Sequence, residues 1–156
     1  MGRYADALAD FSRAIELNPH DAGAIRSRGQ TYRLMGQARQ ALGDFNRAIE
    51  LNRNDAVAIG SRGQIHQAEG RYEDALADFN RAIELNPNLA GAISGRGVIF
   101  RLMGRYEEAL ADFNRAIELN PDEGRALGNR SEHTGSGGRP GQPRGRGNGA
   151  EPGTTS

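Results

Sequence analysis

The chain repeats itself with a period of 34 residues, and this period constrains its fold more than any other feature of the sequence. The segments 2–35 and 70–103 are identical at 25 of their 34 positions. A period of this length is typical of arrays in which each unit buries its apolar face against its neighbours. Three sets of residues carry the period: Gly2, Gly36, Gly70 and Gly104; Phe11, Phe45, Phe79 and Phe113; and Ala14, Ala48, Ala82 and Ala116.

Each unit is predicted to contain two α-helices. Between Gly70 and Pro87 the apolar residues recur at intervals of three and four, as on one face of an amphipathic helix. This helix is predicted to end at Asn86, because the residue before a proline is disfavoured in the α region. The stretch 90–103 is predicted to form another helix, followed by a turn at Gly104. The predicted inner face of that helix holds Ile93, Gly97, Phe100 and Met103.

Residues at fixed places in the unit resemble the tetratricopeptide repeat. One helix has a glycine near its middle, at Gly29, Gly63 and Gly97, and an aromatic residue three positions later, although His66 takes that place in one unit. The resemblance covers about residues 2–133. It implies an all-α fold, an α-solenoid of stacked antiparallel helix pairs with about three complete units and a half unit at each end. Arginine is the only basic residue type besides histidine, which indicates a GC-rich, bacterial coding sequence.

The array is predicted to begin and to end with half a unit. We call the glycine-bearing helix the first helix of a unit and the other one the second helix. The predicted elements are a second helix at 4–17, complete units at 22–53, 56–87 and 90–121, and a partial first helix at 124–133. Residues 1–134 are expected to form the array. Residues 135–156 are rich in Gly, Pro and Arg and are expected to be disordered, because they cannot bury enough apolar surface to offset their chain entropy.

An arginine stands directly before the mid-helix glycine, where the family usually has leucine. These residues are Arg28, Arg62, Arg96 and Arg130. One interpretation takes them as a basic ladder that binds a ligand. The other pairs them with an aspartate series of the same period, namely Asp10, Asp44, Asp78 and Asp112. We favour the second interpretation, because repeated Arg–carboxylate bonds between adjacent helices would fix the geometry of packing.

The composition excludes several kinds of chemistry. The 156 residues include no Cys and no Lys, which excludes disulfides, thiolate metal sites, cysteine nucleophiles and the lysine-containing phosphate loop. The three histidines, His20, His66 and His133, are expected to lie too far apart to bind one metal ion. His66 is interpreted as a partly buried packing residue. We therefore expect no enzyme activity, no catalytic residue, no metal and no cofactor.

The charge balance bears on partners and location. The chain has 20 basic and 20 acidic residues, so it offers no overall electrostatic reason to bind nucleic acid or a membrane. The segment 135–156 faintly resembles Arg/Gly-rich RNA-binding segments, and this alternative stays open. No apolar run approaches the ~20 residues that span a bilayer. The N-terminus lacks the apolar region of a signal peptide, so a cytoplasmic protein is expected.

The resemblance implies that the first helices line a concave groove that binds a partner. Helical spacing from the inward isoleucines predicts the groove residues Arg26, Ser27, Gln30, Arg33, Gly60, Ser61, Gln64, Gln67, Ser94, Val98 and Arg101. The small residues are expected to leave room for a peptide or a helix. Arg26, Arg33 and Arg101 are expected to line the rim with no acidic residue beside them. A protein or peptide, and an acidic one, is therefore the predicted ligand.

Two other functions stay open. A chain that opens with a second helix and closes with a first helix would complete a hybrid unit wherever two copies stack head to tail. Such a heterologous contact builds open assemblies, which suit a structural scaffold. The array could instead be an accessory part of a larger enzyme whose catalytic residues lie elsewhere.

Overall fold

The computed structural model describes residues 2–121, and every regular element in that range is an α-helix. The helices belong to one compact unit, Met1–Leu119. Their bounds are α1 Gly2–Leu17, α2 Ala22–Leu34, α3 Ala38–Leu51, α4 Ala56–Ala68, α5 Tyr72–Leu85, α6 Ala90–Leu102 and α7 Tyr106–Leu119. The predicted all-α solenoid of helix pairs is thereby confirmed. The predicted partial helix at 124–133 and the predicted disorder of 135–156 lie outside the described residues.

The turn inside each helix pair depends on a glycine. Gly36, Gly70 and Gly104 adopt φ angles of 78–79°, in the left-handed region that glycine enters without strain. After α2, the N–H of Gln37 donates to the carbonyl of Tyr32 at 2.9 Å, which satisfies a carbonyl at the helix end. The 34-residue recurrence of glycine therefore marks the point at which each first helix turns into its second helix.

The turn between units depends on asparagine rather than on proline. Helix α3 ends at Leu51, in the same place as the other second helices, although Arg53 stands where those units have proline. Asn52 takes an extended conformation, and its side-chain oxygen accepts a hydrogen bond from the N–H of Asn54 at 3.1 Å. The same contact joins Asn86 and Asn88. An asparagine that bonds the backbone two residues later makes the turn without help from proline.

Each mid-helix glycine lies against the phenylalanine ring of its own second helix. A Cβ placed on Gly63 would come within 2.9 Å of the ring of Phe79, and one on Gly29 within 3.0 Å of the ring of Phe45. Both rings are fully buried, at 0 % exposure. The two helices of a unit therefore approach closely at this point, where the backbone of the first helix meets a side-chain ring of the second helix.

Beside the mid-helix glycine, an arginine of the first helix forms a two-point ion pair with an aspartate of the second helix. We call this contact the arginine fork. The Nε and Nη2 atoms of Arg62 donate to the two carboxylate oxygens of Asp78 at 2.8 Å. Nη1 of Arg62 donates to Asn46 on the preceding second helix at 3.0 Å. The hydrogen bonds that Arg62 donates to Asp78 are the main cause that raises the pKa of Arg62 above its ordinary value, so the guanidinium stays charged. Arg28 with Asp44 and Arg96 with Asp112 repeat the fork.

The contacts between units place the first helices on the inner side of the solenoid. Among the described residues, α2 contacts α4 and α4 contacts α6, whereas α3 makes no comparable contact with α5, nor α5 with α7. First helices are therefore more closely spaced than second helices, so the array curves towards them. The face that α2, α4 and α6 share is the concave face.

One prediction about the inner face of α6 is wrong. Ile93 and Gly97 are buried and Phe100 is 8 % exposed, but Met103 is 42 % exposed. The helix ends at Leu102, and Met103 follows it as the capping residue. The helical repeat no longer directs its side chain inward at that point.

The glycine contact yields the first prediction. Gly63→Ala is expected to lower the free energy of unfolding by about 1–2 kcal/mol, because the new methyl group overpacks against Phe79 and this exceeds the helix propensity gained from alanine. Gly43→Ala is the matched control, since Gly43 lies in α3 with no atom near its missing Cβ. It should raise the free energy by about 0.5–1 kcal/mol. Urea titration followed by circular dichroism measures both, and equal effects would contradict the role of Gly63.

The arginine fork yields the second prediction. Arg62→Ala is expected to lower the free energy of unfolding by about 2–3 kcal/mol, because it leaves the buried carboxylate of Asp78 without its cation. Arg81→Ala is the control, since its ion pair with Glu84 is about half exposed and contributes at most about 0.5 kcal/mol. Thermal unfolding measures both variants. A stable Arg62→Ala protein that has lost a partner would reassign the arginines to binding.

Candidate functional site

The concave face carries the predicted groove residues in rows, one residue from each first helix. The rows are Arg26, Gly60 and Ser94; Ser27 and Ser61; Gln30, Gln64 and Val98; and Arg33, Gln67 and Arg101. Gly95 stands at the corresponding place of the second row on α6. The side chains in these rows differ in what they contact. Some are held by the protein itself, and others remain accessible.

Arg26 is engaged within the protein. Its Nη1 atom donates to both carboxylate oxygens of Asp55, at 3.1 and 3.2 Å. Asp55 is itself 6 % exposed and caps α4, because its side chain accepts a hydrogen bond from the N–H of Ala58 at 3.1 Å. The prediction that no acidic residue lies beside the groove arginines is therefore wrong for Arg26, which helps to anchor α2 to α4.

The prediction that the small groove residues leave room for a peptide or a helix is wrong, because the space beside these residues is occupied. Gly60 is buried, and a Cβ placed on it would lie 3.6 Å from Leu89 and 3.7 Å from Ala92. Ser61 is 6 % exposed. A Cβ on Gly95 would come within 2.6 Å of the ring of Phe79. The space beside Gly60 is filled from both α6 and α5, and the space beside Gly95 is filled by the Phe79 ring of α5.

The last two rows remain accessible. Gln30, Gln64, Gln67 and Val98 are half-buried, as is Arg33, whose guanidinium donates to the side-chain oxygen of Gln30 at 3.2–3.3 Å. Arg101 is exposed, and its side chain forms no ion pair with any described residue. Ser27 and Ser94 are half-buried, and the hydroxyl of Ser94 donates to the carbonyl of Gly91 at 3.2 Å. The accessible groove is therefore narrower than predicted and centres on Arg33 and Arg101.

A small depression lies between α4 and α6 on this face. Its volume is about 80 Å³. The residues that line it are Val57, Gly60, Ser61, Gln64, Leu89, Gly91 and Ala92. Val57 is 38 % exposed, and Leu89 stands at the N-terminus of α6 where the other units have the capping residues Asp21 and Asp55. The depression has the size and the apolar lining that suit one small aliphatic side chain.

The structure also shows a larger cleft that the sequence analysis missed. It has a volume of about 530 Å³ and opens between the second helices α3 and α5. Its lining residues are Asn46, Ile49, Glu50, Arg53, Ile59, Arg62, Asp78 and Arg81. The only sequence signal was Arg53, which interrupts the proline series. The cleft results from the wide spacing of second helices, which a single unit's pattern does not contain.

His66 is buried in the slot that other units fill with an aromatic ring. It is 8 % exposed, its Nε2 atom lies 3.6 Å from a carboxylate oxygen of Asp78, and its Nδ1 atom has no hydrogen-bond partner among the described residues. In the next unit, Phe100 is stacked by Arg96 and Arg105, whose guanidinium carbons lie 5.7 and 4.5 Å from the ring centre. The buried position agrees with the interpretation of His66 as a packing residue, but one ring nitrogen lacks a hydrogen-bond partner among the described residues.

The described residues form neither a metal site nor a membrane-spanning helix. Residues 2–121 contain no cluster of three or more His, Cys, Asp and Glu side chains arranged to hold a metal ion. In the same range no helix combines the length and the apolar character that a membrane span requires. His133 lies outside the described residues.

The third prediction concerns His66. His66→Phe is expected to raise the free energy of unfolding by about 1–2 kcal/mol, because it removes an unpaired buried nitrogen and restores the ring of the other units. The reciprocal change Phe100→His should lower the free energy by a similar amount, which serves as the control for the slot. Thermal unfolding at neutral pH measures both, and a destabilised His66→Phe protein would contradict the prediction.

Comparison with solved structures shows the same fold elsewhere. A crystal structure of MamA superposes with a TM-score of 0.69 at 23 % identity, covering 86 % of this chain and 80 % of that chain. A second crystal structure of the MamA protein gives 0.64 at 20 % identity, with 90 % and 70 % covered. The MamA RS-1 ArsTM double mutant gives 0.66 at 20 % identity, with 78 % and 68 % covered. These identities show a shared fold and nothing finer.

Sequence comparison gives the family directly. Comparison with curated proteins finds no match. Family models described as tetratricopeptide repeat match residues 1–56, 27–90 and 63–128. Together the matches cover residues 1–128, a range that includes all seven helices. The chain therefore belongs to the tetratricopeptide repeat family, whose helical solenoids are typically non-catalytic scaffolds for protein interaction.

Proposed function

We propose that the protein binds an extended acidic peptide of a partner protein along the concave face of its first helices. The observation that carries this proposal is Arg101, an exposed cation on that face with no ion pair among the described residues. Arg33 occupies the same place two units earlier and bonds only to the neutral side chain of Gln30. Carboxylates of a ligand can therefore reach both guanidinium groups without displacing an internal acid.

The spacing of the helices sets the length of the ligand. Arg33 and Arg101 lie on α2 and α6, two helix intervals apart, which corresponds to roughly 16–20 Å when neighbouring axes are 8–10 Å apart. An extended chain advances about 3.3 Å per residue, so the two carboxylates would stand roughly five or six residues apart. The glutamines Gln64 and Gln67, which lie between them on α4, offer donors and acceptors to the peptide backbone.

The depression beside Val57 and Leu89 adds an apolar element to the site. Its volume of about 80 Å³ matches one small aliphatic side chain. It lies between α4 and α6, on the same face as Arg101. The depression lies near the N-terminal end of α6, roughly 15 Å along the helix from Arg101 at a rise of about 1.5 Å per residue. It would therefore take a small apolar residue that lies outside the segment between the two acidic residues.

The fourth prediction tests this site with a displayed library of random decapeptides. The wild-type protein is expected to enrich peptides that carry two acidic residues five or six positions apart. Arg33→Glu combined with Arg101→Glu should bind these peptides at least about tenfold more weakly, with a loss that is greatest at low salt. Titration of one enriched, fluorescently labelled peptide measures the affinity.

The matched control is Arg39→Glu combined with Arg53→Glu. Arg39 lies in the second helix α3, and Arg53 lies in the turn that follows it. Both arginines are exposed, and neither side chain forms a hydrogen bond with a described residue. The control changes the net charge by the same amount and should leave the affinity unchanged. Arg26 is excluded from the variant because its replacement would disturb the cap of α4. Equal losses in both variants, or enrichment of peptides without acidic residues, would refute the proposed site.

A further inference from the structure

Two leucines on the concave face are exposed and take no part in the hydrophobic core of the described residues. Leu34 is 57 % exposed at the end of α2, and Leu102 is 51 % exposed at the end of α6. They follow the groove residues Gln30 and Val98 by four positions, so each lies on the groove face of its helix. Neither leucine belongs to the clusters of packed apolar side chains in residues 2–121. Their exposure is therefore not explained by packing within the fold.

The exposure belongs to this place in the unit and not to an end of the array. Ala68 stands at the same place on α4, which contacts the first helices α2 and α6 on either side. Ala68 is exposed as well. A side chain at this place therefore stays accessible when both neighbouring first helices are present.

Each exposed leucine stands directly after an accessible groove arginine. Arg33 precedes the leucine of α2, and Arg101 precedes the leucine of α6. The repeat does not impose this pairing, because the central unit replaces both residues together, with Gln67 and Ala68. Neither arginine bonds to an acid among the described residues. The concave face thus presents a cation beside an apolar side chain twice, with a neutral unit between the two pairs.

We propose that the peptide bound on the concave face carries the complementary pair twice, each time an acidic residue and an aliphatic residue on the same side of the chain. This inference rests on the peptide-binding function proposed above and adds the sequence class of the ligand. The acidic residues bond to Arg33 and Arg101, and the aliphatic residues pack on Leu34 and Leu102. The apolar contact is favourable because it removes the surfaces of both side chains from water.

The two members of a pair meet the ligand one after the other. Successive helical residues are about 100° apart around the axis but rise only about 1.5 Å along it. Arg33 and Leu34 are therefore neighbours across the helix, and a peptide that crosses the helix passes both. Since alternate residues of an extended chain point to the same side, the acidic and the aliphatic residue of one pair stand two positions apart.

The same alternation selects the spacing between the pairs. Two acidic residues six positions apart lie on one side of an extended chain, whereas a spacing of five would place them on opposite sides. The ligand is therefore expected to repeat every six residues. The direction in which the chain runs decides whether the aliphatic residue of each pair precedes or follows the acidic one.

The pair on α6 offers more apolar surface than the pair on α2. Val98 stands four residues before Leu102, whereas Gln30 holds the same place before Leu34. Residues four apart share a helix face, so Val98 and Leu102 form one apolar strip beside Arg101. The aliphatic residue of the ligand that packs on α6 therefore buries more surface than the one that packs on α2.

The fifth prediction compares two synthetic nonapeptides, labelled at one end, amidated at the other and titrated with the full chain. The first has leucine at positions 1 and 7, aspartate at positions 3 and 9 and serine elsewhere, and is also made with leucine and aspartate exchanged. The second has serine in place of both leucines. The wild-type protein should bind the better of the two leucine peptides at least about tenfold more tightly than its serine counterpart. This preference should persist at high salt, which screens the charge contacts.

The groove variant is Leu34→Ser combined with Leu102→Ser. It should reduce the preference to about twofold and leave the affinity for the serine peptide unchanged, which is the coupling that a double-mutant cycle isolates. Of the two single changes, Leu102→Ser should reduce the preference more. The matched control is Leu17→Ser combined with Leu110→Ser, which removes two exposed leucines from second helices and should keep the full preference. Circular dichroism and thermal unfolding verify that each variant is folded.

The outcomes separate this inference from the proposed function. If the wild type binds both peptides equally and Arg33→Glu combined with Arg101→Glu weakens both, the acidic-peptide groove stands and the inference is overturned. If neither peptide binds, or if the charge reversal changes nothing, the proposed function fails and the inference fails with it. An equal loss of preference in the groove variant and in the control also overturns the inference.

Discussion

A phenylalanine ring pressed against a glycine sets the distance between the two helices of every unit, and the remaining contacts depend on that distance. Only at this separation do the Nε and Nη2 atoms of Arg62 reach both oxygens of Asp78 at 2.8 Å. Asp78 is 7 % exposed, and the two-point bond of its carboxylate with Arg62 restrains the rotation of the first helix about its axis. Apolar packing supplies most of the stability, and the charged fork makes the geometry specific.

Ion pairs within the protein also limit the number of arginines on the concave face that are accessible to a ligand. The arginines of the three forks and Arg26 are all engaged within or between units. A cation that already bonds a buried carboxylate gains little from a second acid, because the attraction to its first partner must be given up. Arg101 and Arg33 are the groove arginines that have no acidic partner among the described residues, and the side chain of Arg33 bonds only to the neutral Gln30.

The sequence was sufficient for the fold and insufficient for the depth of the groove. A period of 34 residues with one glycine and one phenylalanine per unit determines helix pairs, because each signal is local to a unit. Whether Gly60 and Ser61 face solvent depends instead on how closely α4 and α6 approach, which no single unit encodes. The bond between Arg26 and Asp55 spans 29 positions and appears only when the units are stacked.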